Sequence, residues 1–155
     1  MVKKTVLAIF LALVGASGFA EIKKLVDVEG IGPANAAKLE KAGVATPEEL
    51  LSKGGTRAGR DRLAQATGLS ASELLKWVNR VDLSRVKGIS TQYSDLLEAA
   101  GVDTTKELAR RNADNLTAQL ASVNSSKKLV RQVPAASEVA RWIEEAKTLP
   151  ARVEY

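Results

Sequence analysis

VEGIGPANAAKLEKAGVATPEELL, residues 28–51, returns fifty-eight residues later as VKGISTQYSDLLEAAGVDTTKELA, residues 86–109. Eleven of the 24 aligned positions are identical, with no gap and with Gly30/Gly88 and Gly43/Gly101 kept in place. A second block, SELLKWV at 72–78, matches SEVARWI at 137–143 with a spacing of 65, so the second copy carries seven added residues. The polar stretch 124–134, which ends in a proline, is the expected place for them. Self-similarity on this scale means one supersecondary unit used twice. Asp82 to Val86 leaves almost no linker, so the two copies are expected to pack as one compact domain.

Each piece of the unit reads as helix. Thr46-Pro47-Glu48-Glu49 and Thr104-Thr105-Lys106-Glu107 have the capping-box pattern, the first with proline where a helix tolerates it best. Gly43 and Gly101 stand where a left-handed residue closes a helix. Leu74, Trp77, Val78 and Val81 share one helical face, as do Val139, Trp142, Ile143 and Ala146, so both tryptophans are expected to be core anchors. The apolar fraction of 45% fills a core, while only 4% aromatic residues and few β-branched runs argue against a sheet. The expectation is an all-α fold with helices at 35–42, 47–53, 57–67, 72–81, 92–100, 105–111, 114–123 and 137–148. The first repeat is placed at 21–83 and the second at 84–155.

Residues 1–20 have the layout of a secretory signal peptide: Lys3 and Lys4, an apolar run from Thr5 to Val14, then Gly18 and Ala20 before Glu21. That run is too short to span a bilayer, so an exported protein with no stable membrane span is expected. Removing Lys3 and Lys4 from 23 basic and 18 acidic residues leaves 21 against 18, or +3. Such a charge permits nucleic-acid binding without demanding it. Cysteine and histidine are absent, which removes disulfides, thiolate metal sites and the usual general base. Neither an enzyme nor a bound cofactor is expected.

The segment LVDVEGIGPANAAKL, residues 25–39, resembles the helix-hairpin-helix motif: a short helix, a glycine-framed turn and a second helix. Gly30 and Gly32 permit the turn, Ile31 plugs the core, and Pro33 opens the second helix. The chain as a whole resembles the domain-of-unknown-function family numbered 4332, through VEGIGPANAAKLEKAGV, the central 59–104 stretch and the closing VARWIEEAKTLP. That resemblance implies a tandem helix-hairpin-helix fold and no activity. A looser one is to exported helix-hairpin-helix proteins of DNA uptake. In the motif family, backbone amides at the hairpin hold a nucleic-acid phosphate, helped by the helix dipole.

By that resemblance, the phosphate-binding set is Gly30, Ile31, Gly32, Pro33, Ala34 and Lys38. The second hairpin looks degenerate, since Ser90 and Thr91 replace Gly32 and Pro33 and the helix carries Asp95 and Glu98. Gly88, Ser90, Thr91, Arg57, Arg60 and Lys87 form a secondary set, the last three within the basic clusters Arg57/Arg60/Arg62 and Arg80/Arg85/Lys87. A third cluster, Lys127, Lys128 and Arg131, lies in the insertion. Two functions remain open: sequence-independent binding to the backbone of double-stranded DNA, or a scaffold that packs against a protein partner or copies of itself.

Overall fold

Side-chain oxygens, more than any apolar run, decide where the helices begin. Thr46, Thr56, Ser70, Ser90, Thr104 and Asn112 each accept the backbone N–H three residues on, satisfying a donor that the first helical turn leaves without a partner. A computed structural model describes residues 22–155. The expected signal peptide, 1–20, lies outside the described residues. After a 3-10 turn at Leu25–Asp27 come α1 (Pro33–Lys41), α2 (Pro47–Gly54), α3 (Arg57–Thr67) and α4 (Ala71–Leu83). The second half holds α5 (Thr91–Ala99), α6 (Thr105–Leu108), α7 (Ala113–Lys127) and α8 (Ala136–Thr148). The fold is all-helical, with no strand among the described residues. No described helix is long and apolar enough to cross a membrane.

Fine detail repeats between the halves. Gly30 and Gly88 have φ of 87° and 92°, and Gly43 and Gly101 have φ of 83° and 85°. Ile31 donates to Val28 O at 3.0 Å, and Ile89 to Val86 O at 3.2 Å. Beyond each capping threonine a glutamate reaches back, Glu49 to the Ala45 amide at 2.7 Å and Glu107 to the Asp103 amide at 2.8 Å. This is one residue earlier than the capping-box pattern implies. Lys53 donates to Gly43 O, and its counterpart Arg111 to Gly101 O.

Three helices depart most from their expected lengths, and of these α4 starts one residue early and runs past 81 to Leu83. The helix at α6 stops at Leu108 because Arg110 and Arg111 bond three residues back and Asn112 then caps the next helix. In contrast, α7 runs four residues past 123 into the stretch expected to be loop. It ends where the Lys128 amide bonds Asn124 O at 2.9 Å.

Each half has its own core. Leu25, Ile31, Leu39, Leu50, Leu74 and Trp77 belong to the first; Leu83, Ile89, Leu97, Leu108, Trp142 and Ile143 belong to the second. The two crossings are Leu83, which ends α4 but lies in the second core, and Val153, which returns from the C-terminal segment to the first. Arg152, Val153 and Glu154 thus pack back on the first half. Glu154 donates to Gly55 O at 2.8 Å, and Arg152 pairs with Glu48 at 2.7 Å.

The seam between halves is polar. Asp82, 1% exposed, accepts from the Thr105 amide at 2.8 Å and hydroxyl at 3.0 Å, and from Arg85 at 2.7 Å. Arg80 donates to Glu29 O at 2.7 Å and to Asp95 at 2.9 Å, with Glu98 at 3.7 Å. Burial pushes the Asp95 carboxyl above its ordinary range, against the pull of Arg80.

Candidate nucleic-acid interface

In the first hairpin the backbone faces outward. Gly32, the N-cap of α1, has no side chain to cap the helix, and a Cβ placed on it would meet nothing within 4 Å. The first intrahelical bond is made by the Ala36 amide to Gly32 O at 3.0 Å. The amides of Ala34 and Asn35 therefore stand ahead of the helical ladder, at its positive end. Gly32, Pro33, Ala34 and Lys38 are exposed. Ala34 and Lys38 are four residues apart and so share a face, and a helical side chain leans toward the N-terminus. That brings the Lys38 charge toward the open amides.

Two members of the expected set act differently. Ile31 is 2% exposed and its amide is engaged by Val28 O, so it plugs the core and offers no donor. Gly30 is conformational: at φ 87°, its absent Cβ would lie 2.9 Å from the Trp77 indole nitrogen. The hairpin thus rests on the tryptophan, and a side chain there would need both strain and displacement.

The second hairpin has the same backbone but is filled from within. The Ser90 hydroxyl accepts from Tyr93 N at 3.3 Å, and Thr91 donates to Asp27 O at 3.4 Å. The Lys87 amide donates to Glu145 at 3.0 Å, and Arg141 donates to Lys87 O at 3.0 Å. By the 65-residue spacing of the closing block, Glu145 stands where Arg80 stands in the first copy. Arg80 grips the carbonyl of Glu29, while Glu145 grips the amide of the matching residue, Lys87. A carboxylate of the chain itself already bonds this hairpin amide. Gly88 supplies only backbone freedom here, since its missing Cβ would lie 2.9 Å from the Arg141 guanidinium.

The basic clusters divide. Arg60 is 4% exposed and donates to Gly54 O at 3.0 Å, Gly55 O at 2.9 Å and Glu154 O, holding the C-terminal segment. Burial lowers its pKa. It is not available to a phosphate, and neither are Arg80 and Arg85, which are engaged in the seam. Sequence gave no sign of this, because their partners are backbone carbonyls or carboxylates of the other copy. Arg57, Arg62 and Lys87 remain exposed, as do Lys127, Lys128 and Arg131.

A family model described as domain of unknown function (DUF4332) matches residues 29–149, and the chain belongs to that family. Comparison with curated proteins and with solved structures returned no match.

Proposed function

We propose that this DUF4332 chain is an exported, non-catalytic helix-hairpin-helix protein that holds the phosphate backbone of double-stranded DNA without reading its sequence. The observation that carries the reading is the uncapped start of α1, with the Ala34 and Asn35 amides open and Lys38 on their face. The second hairpin is the internal contrast: the Tyr93 amide, which matches that of Asn35, is bonded by Ser90, and the Lys87 amide by Glu145. Phosphate contacts fix position but carry no sequence information, so affinity should be salt-dependent and indifferent to sequence. The export half of the reading is supported by the tripartite pattern of residues 1–20.

Gel shifts with a random-sequence duplex at two salt concentrations test the binding. Binding in the non-specific range, with a dissociation constant on the order of 10⁻⁴ to 10⁻⁶ M at physiological salt, is expected. Lys38→Glu should weaken it for every sequence and flatten the log-log salt slope by about 0.9. If wild type fails to bind even at low salt, the hairpins serve as packing elements of a scaffold instead. Mass spectrometry of protein from the native envelope or medium tests export: the chain should begin at or near Glu21, and an intact Met1 chain in the cytosol would overturn that part.

A further inference from the structure

We infer that the loop at residues 127–131 is a second phosphate contact. It rests on the backbone-binding reading above and adds to it a contact from the second half, outside either hairpin.

The loop is what the second copy has and the first lacks. From Asn115 to Ser137 there is no acidic residue, and Lys127, Lys128 and Arg131 fall within five positions. All three are exposed, and none makes an ion pair among the described residues. Most of the chain's other arginines differ: Arg60, Arg80, Arg85, Arg141 and Arg152 all hold carbonyls or carboxylates. Lys127 has one structural motive, the negative end of α7, but Arg131 lies beyond that turn.

The loop is also held in one shape. The Asn124 amide group clasps Val130 through both backbone atoms, donating to Val130 O and accepting from Val130 N, each at 3.0 Å. Val130 and Pro134 are buried, and the Tyr93 hydroxyl donates to Gln132 O at 3.2 Å. Lys128 closes α7 with φ 51°, the one non-glycine among the described residues with a positive φ. In the first copy the same closure, an N–H to O bond of 2.9 Å, is made by Gly68. Glycine is the unstrained residue for that conformation, so a lysine there sets a charge at a strained position.

Placement joins the loop to the hairpin. The first turn of α5 touches both, Thr91 reaching Asp27 O and Tyr93 reaching Gln132 O. Arg80 ties the same helix to Glu29 beside Gly30. The segments that carry the open amides of α1 and the three cations are thus both tied to the first turn of α5.

The test is fluorescence anisotropy with a labelled random-sequence duplex across a salt series, using the chain freed of its first twenty residues. Wild type is compared with Lys38→Glu and with the triple variant Lys127→Gln/Lys128→Gly/Arg131→Gln. The triple variant should bind at least tenfold more weakly at low salt, and lose up to about 2.7 from its log-log slope, near 0.9 per contact. Its urea midpoint should hold or rise, because glycine relieves the strain at 128. If the triple variant binds like wild type while Lys38→Glu weakens binding, the loop is not a contact and the hairpin reading stands. If the loop variant alone weakens binding, the loop holds and the hairpin reading fails. Absence of wild-type binding overturns both. Equal retention of polyglutamate would overturn the assignment to phosphate.

Discussion

Asp82→Ala should be the most damaging single change in the seam between the halves. The carboxylate is 1% exposed and accepts three hydrogen bonds of 2.7 to 3.0 Å: one from Arg85, two from Thr105 at the start of α6. Removing one partner of a buried ion pair costs about 3–5 kcal/mol, because the remaining charge stays desolvated and unpaired. Arg85 retains its bond to Pro150 O at 3.0 Å, which moderates that cost. The Thr105 amide and hydroxyl are orphaned as well, at about 1–3 kcal/mol for an unsatisfied buried donor, offset in part by water entering the gap. A net loss of ~3–5 kcal/mol is expected, a large share of the ~5–15 kcal/mol by which domains are stable. Urea unfolding followed by far-UV circular dichroism and by fluorescence measures it, with Trp77 reporting on the first core and Trp142 on the second. Adding Arg85→Leu should recover the unpaired-charge part but not the Thr105 part, since only the first involves a cation. A loss under ~1 kcal/mol for Asp82→Ala would refute the reasoning, whose weight rests on unmade buried bonds.

Arg60→Met keeps the apolar stem but removes the donors to Gly54, Gly55 and Glu154, and should cost ~2–4 kcal/mol, given ~1.5–3 for each charged bond less the relief of a buried charge. Limited proteolysis should then cut beyond Pro150 sooner, while the salt slope of DNA binding stays unchanged; an altered slope would mean that Arg60 meets phosphate after all. Asp103 has its carboxyl pushed above the ordinary 3.8 by desolvation, then by Glu107 and Glu98. A raised folded-state pKa in an acid means stability is lost as pH rises from the unfolded-state value through the folded one. Asp103→Asn should therefore raise the melting temperature slightly at neutral pH, and the gain should vanish below about pH 4, where the unfolded carboxyl is protonated too. A gain that persists at pH 3 would assign the effect to packing.

The helices were legible because their punctuation is local. A threonine cap, a proline after it and a glycine at the end act within four residues, and sequence preserves that spacing. The end of α7 was not, because Lys128 occupies a position for which glycine is the readable signal, and the clasp from Asn124 to Val130 looks like any polar loop. The C-terminal segment was equally hidden: it is held by backbone atoms of Gly55 and Glu154, which carry no residue signature, and by an Arg152–Glu48 pair far apart in sequence. At the candidate site, the contrast between Gly32 and Ser90 was readable from residue type. The engagement of Arg80 was not, since a basic cluster in sequence does not reveal carboxylates 15 and 18 residues further on in another repeat.

Arg80 and Glu145 show how one inherited position gave the two hairpins different fates. Each sits on the helix that closes its copy, and each reaches the residue before a left-handed glycine. A guanidinium can only donate and a carboxylate can only accept, so Arg80 takes the carbonyl of Glu29 and Glu145 takes the amide of Lys87. The same exchange decides the surroundings. Having bonded one carbonyl, the Arg80 guanidinium has donors left for Asp95 and Glu98, so the acids of α5 are drawn into the seam and away from the α1 amides. Around Lys87 the exchange runs the other way: a negative group bonds the hairpin, and Arg141 must neutralise it from 3.7 Å. Asp95, Glu98 and Glu145 are thus held by structural partners. Local field is set by charges left without a partner: on the 127–131 loop those are cations, while beside the α1 hairpin Lys38 shares the surface with Glu29.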